Sequence, residues 1–221
     1  MPELQGRPRP PVALRRNPDH ISPETDPQGQ QTAMFIETEA TPNPATLKFL
    51  PGQDVLGPRG TADFTTPGEA TGRSPIAERI FGLGDVARVF LGADFITVTK
   101  AEDAEWQMLK PRVLGAVMEH FLSGMPMLEG EADEEHAEDF EAADQDIVAQ
   151  IKELLDTRVR PAVAGDGGDI VFRGFRDGIV KLRMQGACSG CPSSRATLKH
   201  GVENMLRHYV PEVVAVEQVE A

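Results

Sequence analysis

Between Glu129 and Asp146 the chain carries ten acidic residues and not one Lys or Arg. A stretch this charged repels itself and resists burial, so any core must be built on either side of it. The run is expected to form an extended linker over residues 125–143, between folded units at 34–124 and 144–221. Its last acids are expected to lead into a helix, because carboxylates favour a helix N-terminus. These ten residues also account for most of the formal net charge of −13. That balance argues against non-specific nucleic-acid binding, which depends on Lys and Arg against phosphate. No stretch approaches the roughly 20 apolar residues of a membrane helix. Neither nucleic acid nor membrane is therefore an expected partner.

Residues 1–33 contain Pro2, Pro8, Pro10, Pro11, Pro18, Pro23 and Pro27, and their longest apolar patch is Val12-Ala13-Leu14. So little apolar area cannot offset the entropy of ordering, which predicts a disordered extension. Met34 begins the patterned part and is a candidate natural start. The segment has no apolar core of a signal peptide, and Glu3, Asp19, Glu24 and Asp26 balance its arginines, unlike an acid-poor transit peptide. A cytoplasmic location is the resulting expectation.

In the first unit, Met34–Thr38 and Thr46–Leu50 read as short strands around the turn Thr41-Pro42-Asn43-Pro44. Ser74-Pro75 has the form of an N-cap followed by proline at the first helical position. Val86–Leu91 and Phe95–Lys100, joined by Gly92-Ala93-Asp94, suggest a hairpin. Trp106, Leu109, Val113, Val117 and Phe121 recur at helical spacing, and Pro111 is expected to start the main helix after one irregular turn. His120 is expected to be a surface or cap residue.

In the second unit, Ile147, Ile151, Leu154 and Leu155 mark an amphipathic helix, which Val159-Arg160-Pro161 is expected to end. Gly165-Asp166-Gly167-Gly168-Asp169 reads as a structural turn. It lacks the Lys and Ser/Thr of a phosphate loop, and its acids would repel phosphate. Asp177-Gly178 between Ile170–Phe175 and Ile179–Met184 signals a hairpin, with Val180, Leu182 and Met184 sharing one face. A helix from about Pro192 to Tyr209 follows, with Leu198, Val202, Met205, Leu206 and Tyr209 as its buried stripe. Val213–Val219 gives a last strand. The expected class is α+β: two small mixed domains joined by the acidic linker. The C-terminal domain is an α-β-β-α-β two-layer unit with its helices on one face of a three-stranded sheet.

The chain has two cysteines, Cys188 and Cys191. Three residues apart, they cannot staple distant parts of the chain. They fall between a strand end and a helix start, where unpaired N–H groups and the helix dipole favour thiolate. The pattern therefore predicts exposed thiols of lowered pKa, ready as metal ligands or nucleophiles. Three readings stay open. A thiol–disulfide oxidoreductase needs only this pair, although the expected βαβ context is missing. Structural zinc usually needs four ligands. An iron–sulfur cluster commonly needs four cysteines, which two chains could supply across a symmetric interface. His200 and His208 lie at least two turns beyond Cys191 and read as helix-surface residues. Arg195 and Lys199 read as solvated, with a weaker possibility of contact to a bound cluster's charge.

Three segments together carry a family resemblance: Arg160-Pro161, Asp166-Gly167-Gly168-Asp169-Ile170, and Gly186-Ala187-Cys188-Ser189-Gly190-Cys191-Pro192-Ser193-Ser194. They resemble the NifU C-terminal-like domain of the Nfu iron–sulfur proteins. The first unit resembles the N-terminal domain of the same proteins through Phe35–Glu39, Thr41-Pro42-Asn43-Pro44, Thr46-Leu47-Lys48-Phe49 and Trp106–Pro111. The resemblance covers residues 34–219. It implies a non-enzymatic scaffold or carrier for a labile 4Fe–4S cluster bridging a homodimer, with Cys188 and Cys191 of each chain as ligands. The implied partners are apo iron–sulfur client proteins and upstream assembly factors. The extension and the acidic linker depart from the family pattern, and neither touches the cysteine motif.

Overall fold

Alternation in short segments builds the first sheet, which has five strands among the described residues. In β1 (Glu37–Ala40), β2 (Thr46–Leu50), β3 (Ala62–Phe64), β4 (Val86–Leu91) and β5 (Ile96–Lys100), all pairing is antiparallel, in the order β1-β2-β5-β4-β3. Phe49, Val89, Leu91, Ile96 and Val98 point to one face and are buried there with the helices α1 (Pro67–Ala70), α2 (Pro75–Phe81) and α3 (Trp106–Ser123). The computed structural model describes residues 35–130, 138–190 and 192–219, the last without the side chains of residues 192–195. The expected extension at 1–33, the start at Met34 and the centre of the acidic run lie outside these residues.

Ser74 caps α2 as expected. Its hydroxyl accepts from the Ala77 N–H and donates to the Met127 carbonyl at 2.7 Å. Two features of this unit depart from the sequence reading. Pro111 sits inside α3 and does not start it; the carbonyl four residues back belongs to the exposed Gln107, so the lost bond falls on the wet side. The first turn is anchored instead by the Trp106 indole, which donates to the Pro44 carbonyl at 3.2 Å. His120 is fully buried, not a surface residue, because it continues the buried stripe of Leu109, Val113, Ala116 and Val117 along α3.

Burial, and then the positive charge of Arg79, hold the His120 imidazole below its ordinary value of 6.5. An imidazole depressed in the folded state contributes stability that is complete above the unfolded value of about 6.5 and is lost as pH falls toward the native value. Urea midpoints of the whole chain should therefore decline below about pH 6.5, and His120→Phe should flatten that part of the curve.

The second sheet runs β6-β7-β8-β9, with β6 (Asp139–Phe140), β7 (Gly168–Arg176), β8 (Ile179–Gly186) and β9 (Ala215–Gln218). β7 and β8 form the expected hairpin, while β6 and β9 flank it in parallel. Among the described residues the sheet thus has four strands, not three. Within the span expected as linker, Met127 and Leu128 are buried in the first core, and Asp139 and Phe140 form β6. Asp139 is held there by Arg176 and Lys181, which lower its pKa through hydrogen bonds and charge. Val180, Leu182 and Met184 face the core together, as their alternation predicts. Against them pack α4 (Gln145–Leu154), α5 (Arg160–Gly165) and α6 (Pro192–Tyr209). Tyr209 leaves the expected stripe: it is 40% exposed, stacked under Arg158, and Val210 is buried in its place.

Arg160-Pro161 does not end the helix either. Residues Leu155–Val159 form one π-helical turn, in which the Arg160 N–H reaches back five residues to the Leu155 carbonyl. Pro161 then enters at the start of α5, where its missing donor and fixed φ are tolerated. The helical path continues to Gly165 and delivers Arg160 to the edge of the cysteine turn.

A cysteine turn between the second sheet and a long helix

β8 closes on Gly186, a short turn of 3₁₀-helix covers Ala187–Ser189, and α6 opens at Pro192. The turn is tied from both sides. The Ala187 N–H donates to the Gly167 carbonyl at 3.1 Å, and the Ser189 hydroxyl donates to the Gly186 carbonyl at 2.8 Å. Cys188, at the centre, is 7% exposed and belongs to the second core. Cys191 lies outside the described residues.

The structure corrects the expectation of an exposed, acidified thiol at Cys188. Burial, followed by the charges of Asp166 and Asp169, pushes its pKa from 9.0 up to about 11. The helix-dipole argument fails because Cys188 sits in a separate turn before α6, folded against the sheet and away from water. Desolvation there outweighs a dipole that acts within the first turn of its helix. A neutral buried thiol is a poor nucleophile. A metal ion, by contrast, displaces the thiol proton outright on coordination.

Gly168 makes the seat for this sulfur. A methyl group there would come within 2.5 Å of the Gln185 carbonyl and 3.0 Å of Cys188 Sγ. Only a residue without a side chain lets β7 start so close to the cysteine turn. Next to it, Asp169 is 4% exposed and fully engaged. Its carboxylate accepts from Arg160 Nε at 2.9 Å, from Arg160 Nη2 at 2.7 Å and from the Ile170 N–H at 2.8 Å. The Asp169 bond comes first among the effects that raise the Arg160 pKa, so the guanidinium stays charged. Asp156 adds a further contact to Arg160 at 3.2 Å.

The sequence reading treated the glycine-rich segment as a turn and gave neither Arg160 nor Asp169 a role at the cysteines. Their separation has no helix or strand period, and the π turn that aligns them leaves no periodic signal. Their presence in the matched motifs was the one available pointer. Lys199 is half-buried, His200 and His208 are exposed as expected, and the Arg195 side chain lies outside the described residues. Among the described residues, no three or more His, Cys, Asp or Glu are grouped so as to hold a metal ion.

Arg160→Ala leaves the Asp169 carboxylate buried without its bidentate partner. Because the guanidinium is 40% exposed, its solvent screening reduces the cost below that of a fully buried pair. A loss of about 2 kcal/mol is expected in urea unfolding, and Arg160→Lys should recover only part of it, since one ammonium cannot replace the fork.

Comparison with known proteins agrees with this layout. Residues 151–217 match the family model of the NifU-like domain. Residues 36–124 match that of the N-terminal domain of the scaffold protein Nfu/NifU. A Drosophila sechellia protein named "NFU1 iron-sulfur cluster scaffold homolog, mitochondrial" is 54% identical over 196 residues, spanning 87% of this chain and 68% of its own length. An Arabidopsis thaliana protein named "NifU-like protein 4, mitochondrial" is 53% identical over 193 residues, spanning 86% of this chain and 68% of its own. The mitochondrial names of these relatives overturn the cytoplasmic location expected from the acids among residues 1–33. The charge balance of that segment is therefore no guide to compartment.

Proposed function

The chain belongs to the Nfu/NifU family of iron–sulfur scaffold proteins, and from that premise we propose that it assembles or carries an iron–sulfur cluster on Cys188 and Cys191. The cluster is a 4Fe–4S unit shared by two copies, each contributing its pair of thiolates. Two chains then supply the four cysteines that one chain lacks. Residues 34–124 and 144–221 act as the two domains of the carrier, and only the second bears cysteine. The cluster is cargo: the protein catalyses no turnover of its own but passes the cluster to apo client proteins after receiving it from an assembly factor. In each exchange an iron–thiolate bond to this chain breaks as one to the client's cysteine forms. The proton of the incoming thiol ends on the released sulfur.

The observation that supports this reading is the place of Cys188 on the short turn between β8 and α6, three residues before the chain's other cysteine, with Gly168 making room for its sulfur beside β7. The rival reading, a thiol–disulfide oxidoreductase, loses ground because it requires an exposed, activated thiol, whereas Cys188 is buried.

Anaerobic reconstitution with ferrous iron and sulfide tests the proposal. About four irons and four sulfides per dimer are expected, with a shift from monomer to dimer on loading. A stable monomer that takes up no iron yet reduces a disulfide substrate would overturn it. Zinc bound in place of iron in anaerobically purified protein would redirect it to a structural metal site.

A further inference from the structure

The first sheet has a second face. Opposite the residues that fill its core, β2, β4 and β5 present Thr46, Lys48, Arg88, Phe90, Thr97 and Thr99. Most of these are polar, yet Thr46, Lys48, Phe90 and Thr97 are buried. What covers Lys48, Phe90 and Thr97 is the neighbourhood of the cysteine turn. Lys48 Nζ donates to the Gly165 carbonyl at 3.3 Å, and Arg88 Nη1 reaches the Gly186 carbonyl at 3.5 Å. The Thr61 hydroxyl lies 3.0 Å from Asp169 Oδ2 and 3.2 Å from Gln185 Oε1. A methyl group on Gly167 would come within 2.8 Å of Thr97 Cγ2, one on Gly186 within 3.0 Å of the Phe90 ring, and one on Gly190 within 2.6 Å of Asn43 Nδ2. Gly186 and Gly190 bracket Cys188, so the N-terminal sheet and its Thr41–Pro44 turn close over the cysteine from both flanks.

We propose that the outer face of the first sheet is a removable cover for the cysteine turn, and that it must part from the turn before two copies can share a cluster. This rests on the carrier reading above. Two properties of the contact support it. A cluster bridging two copies needs each turn to face the other copy; in the closed form, atoms of the same chain hold that place. The contact is also built largely of threonine, lysine and arginine paired with backbone carbonyls, the Asp169 carboxylate and the Gln185 amide, with the Phe90 ring packed among them. Such a surface can be wetted on separation, as in interfaces that come apart, unlike an apolar core. Closed, the chain keeps the Cys188 thiol covered and stays single. Open, it exposes the turn for loading and pairing.

Thr97→Lys tests the cover in the full chain. The longer side chain cannot fit against Gly167, but it leaves Ile96 and Val98 in the core untouched. Under anaerobic, reducing conditions, alkylation of Cys188 by N-ethylmaleimide, read by peptide mass spectrometry, should run at least about tenfold faster than in the wild type. Cluster loading should also be faster, with the same final iron content. Thr61→Ala, which removes the hydroxyl shared by Asp169 and Gln185, should shift both rates the same way by severalfold, and it decides the matter if Thr97→Lys does not fold. Wild-type rates of alkylation and loading in the folded variants overturn the cover while leaving the carrier reading intact. Faster alkylation with no iron taken up by any of the chains supports the cover and overturns the carrier reading.

Discussion

Cys188→Ala is expected to emerge from anaerobic reconstitution with essentially no iron, against about four atoms per wild-type dimer. The expectation follows from counting: with one thiol left per chain, a dimer offers two thiolates where a cluster commonly takes four. The variant should also be less stable. A cysteine on an exposed cap could be removed at little cost, but Cys188 is 7% exposed and sits in the second core. Losing its sulfur leaves a small void worth about 1–2 kcal/mol, a drop of roughly 5 °C or more in melting temperature for a domain this size. Iron and sulfide assays read the first effect, and thermal unfolding by circular dichroism reads the second. A variant that still holds a full cluster would remove Cys188 from the ligand set. One that melts with the wild type would contradict its burial.

The second large effect belongs to Gly168. Replacing it with alanine or valine places a carbon 2.5 Å from the Gln185 carbonyl, 3.0 Å from Cys188 Sγ and 3.3 Å from Cys188 Cβ. The first of these neighbours is backbone and cannot turn aside. Gly168 also pairs directly with Gly186 in the β7–β8 ladder, so relief requires pulling the strands apart at the cysteine end. A cost of about 3 kcal/mol or more is expected, most of it already present in Gly168→Ala because the first methyl makes the clash. Gly201 supplies the contrast. It lies inside α6 with nothing within 4 Å of an added methyl, so Gly201→Ala should stabilise by about 0.5–1 kcal/mol. Urea unfolding of the pair decides it: the account of the seat is wrong if Gly168→Ala lies within 0.5 kcal/mol of the wild type.

The elements that local chemistry specifies could be read directly from the sequence. The Ser74-Pro75 cap, the Asp177-Gly178 hairpin and the alternation of Val180, Leu182 and Met184 all fall where their residue types place them. Errors gathered where tertiary packing overrides a local rule. Pro111 and Pro161 both lie on helical paths, the first because its lost bond faces water, the second because a π turn precedes it. β3 and β6 were missed: three and two residues long, they are too short to show a period and exist through the strands beside them. At the candidate site, the cysteine pair and its place between strand and helix were visible. The burial of Cys188, the pairing of Arg160 with Asp169 and the cover by the first sheet were not. Each depends on residues distant in sequence meeting in space.

The π turn at Leu155–Val159 carries one more residue than an α-helical path would, and this affects how the chain tolerates length changes. Deleting a single residue there, such as the exposed Thr157, would remove that extra residue and let the helix revert to ordinary winding, with the segments on either side keeping their phase. Arg160 would still face Asp169, but the ring of Pro161 would meet a carbonyl of the preceding turn that it now avoids, at a cost of about 3 kcal/mol. The wider turn is thus the device by which a proline passes along this helical path without breaking it.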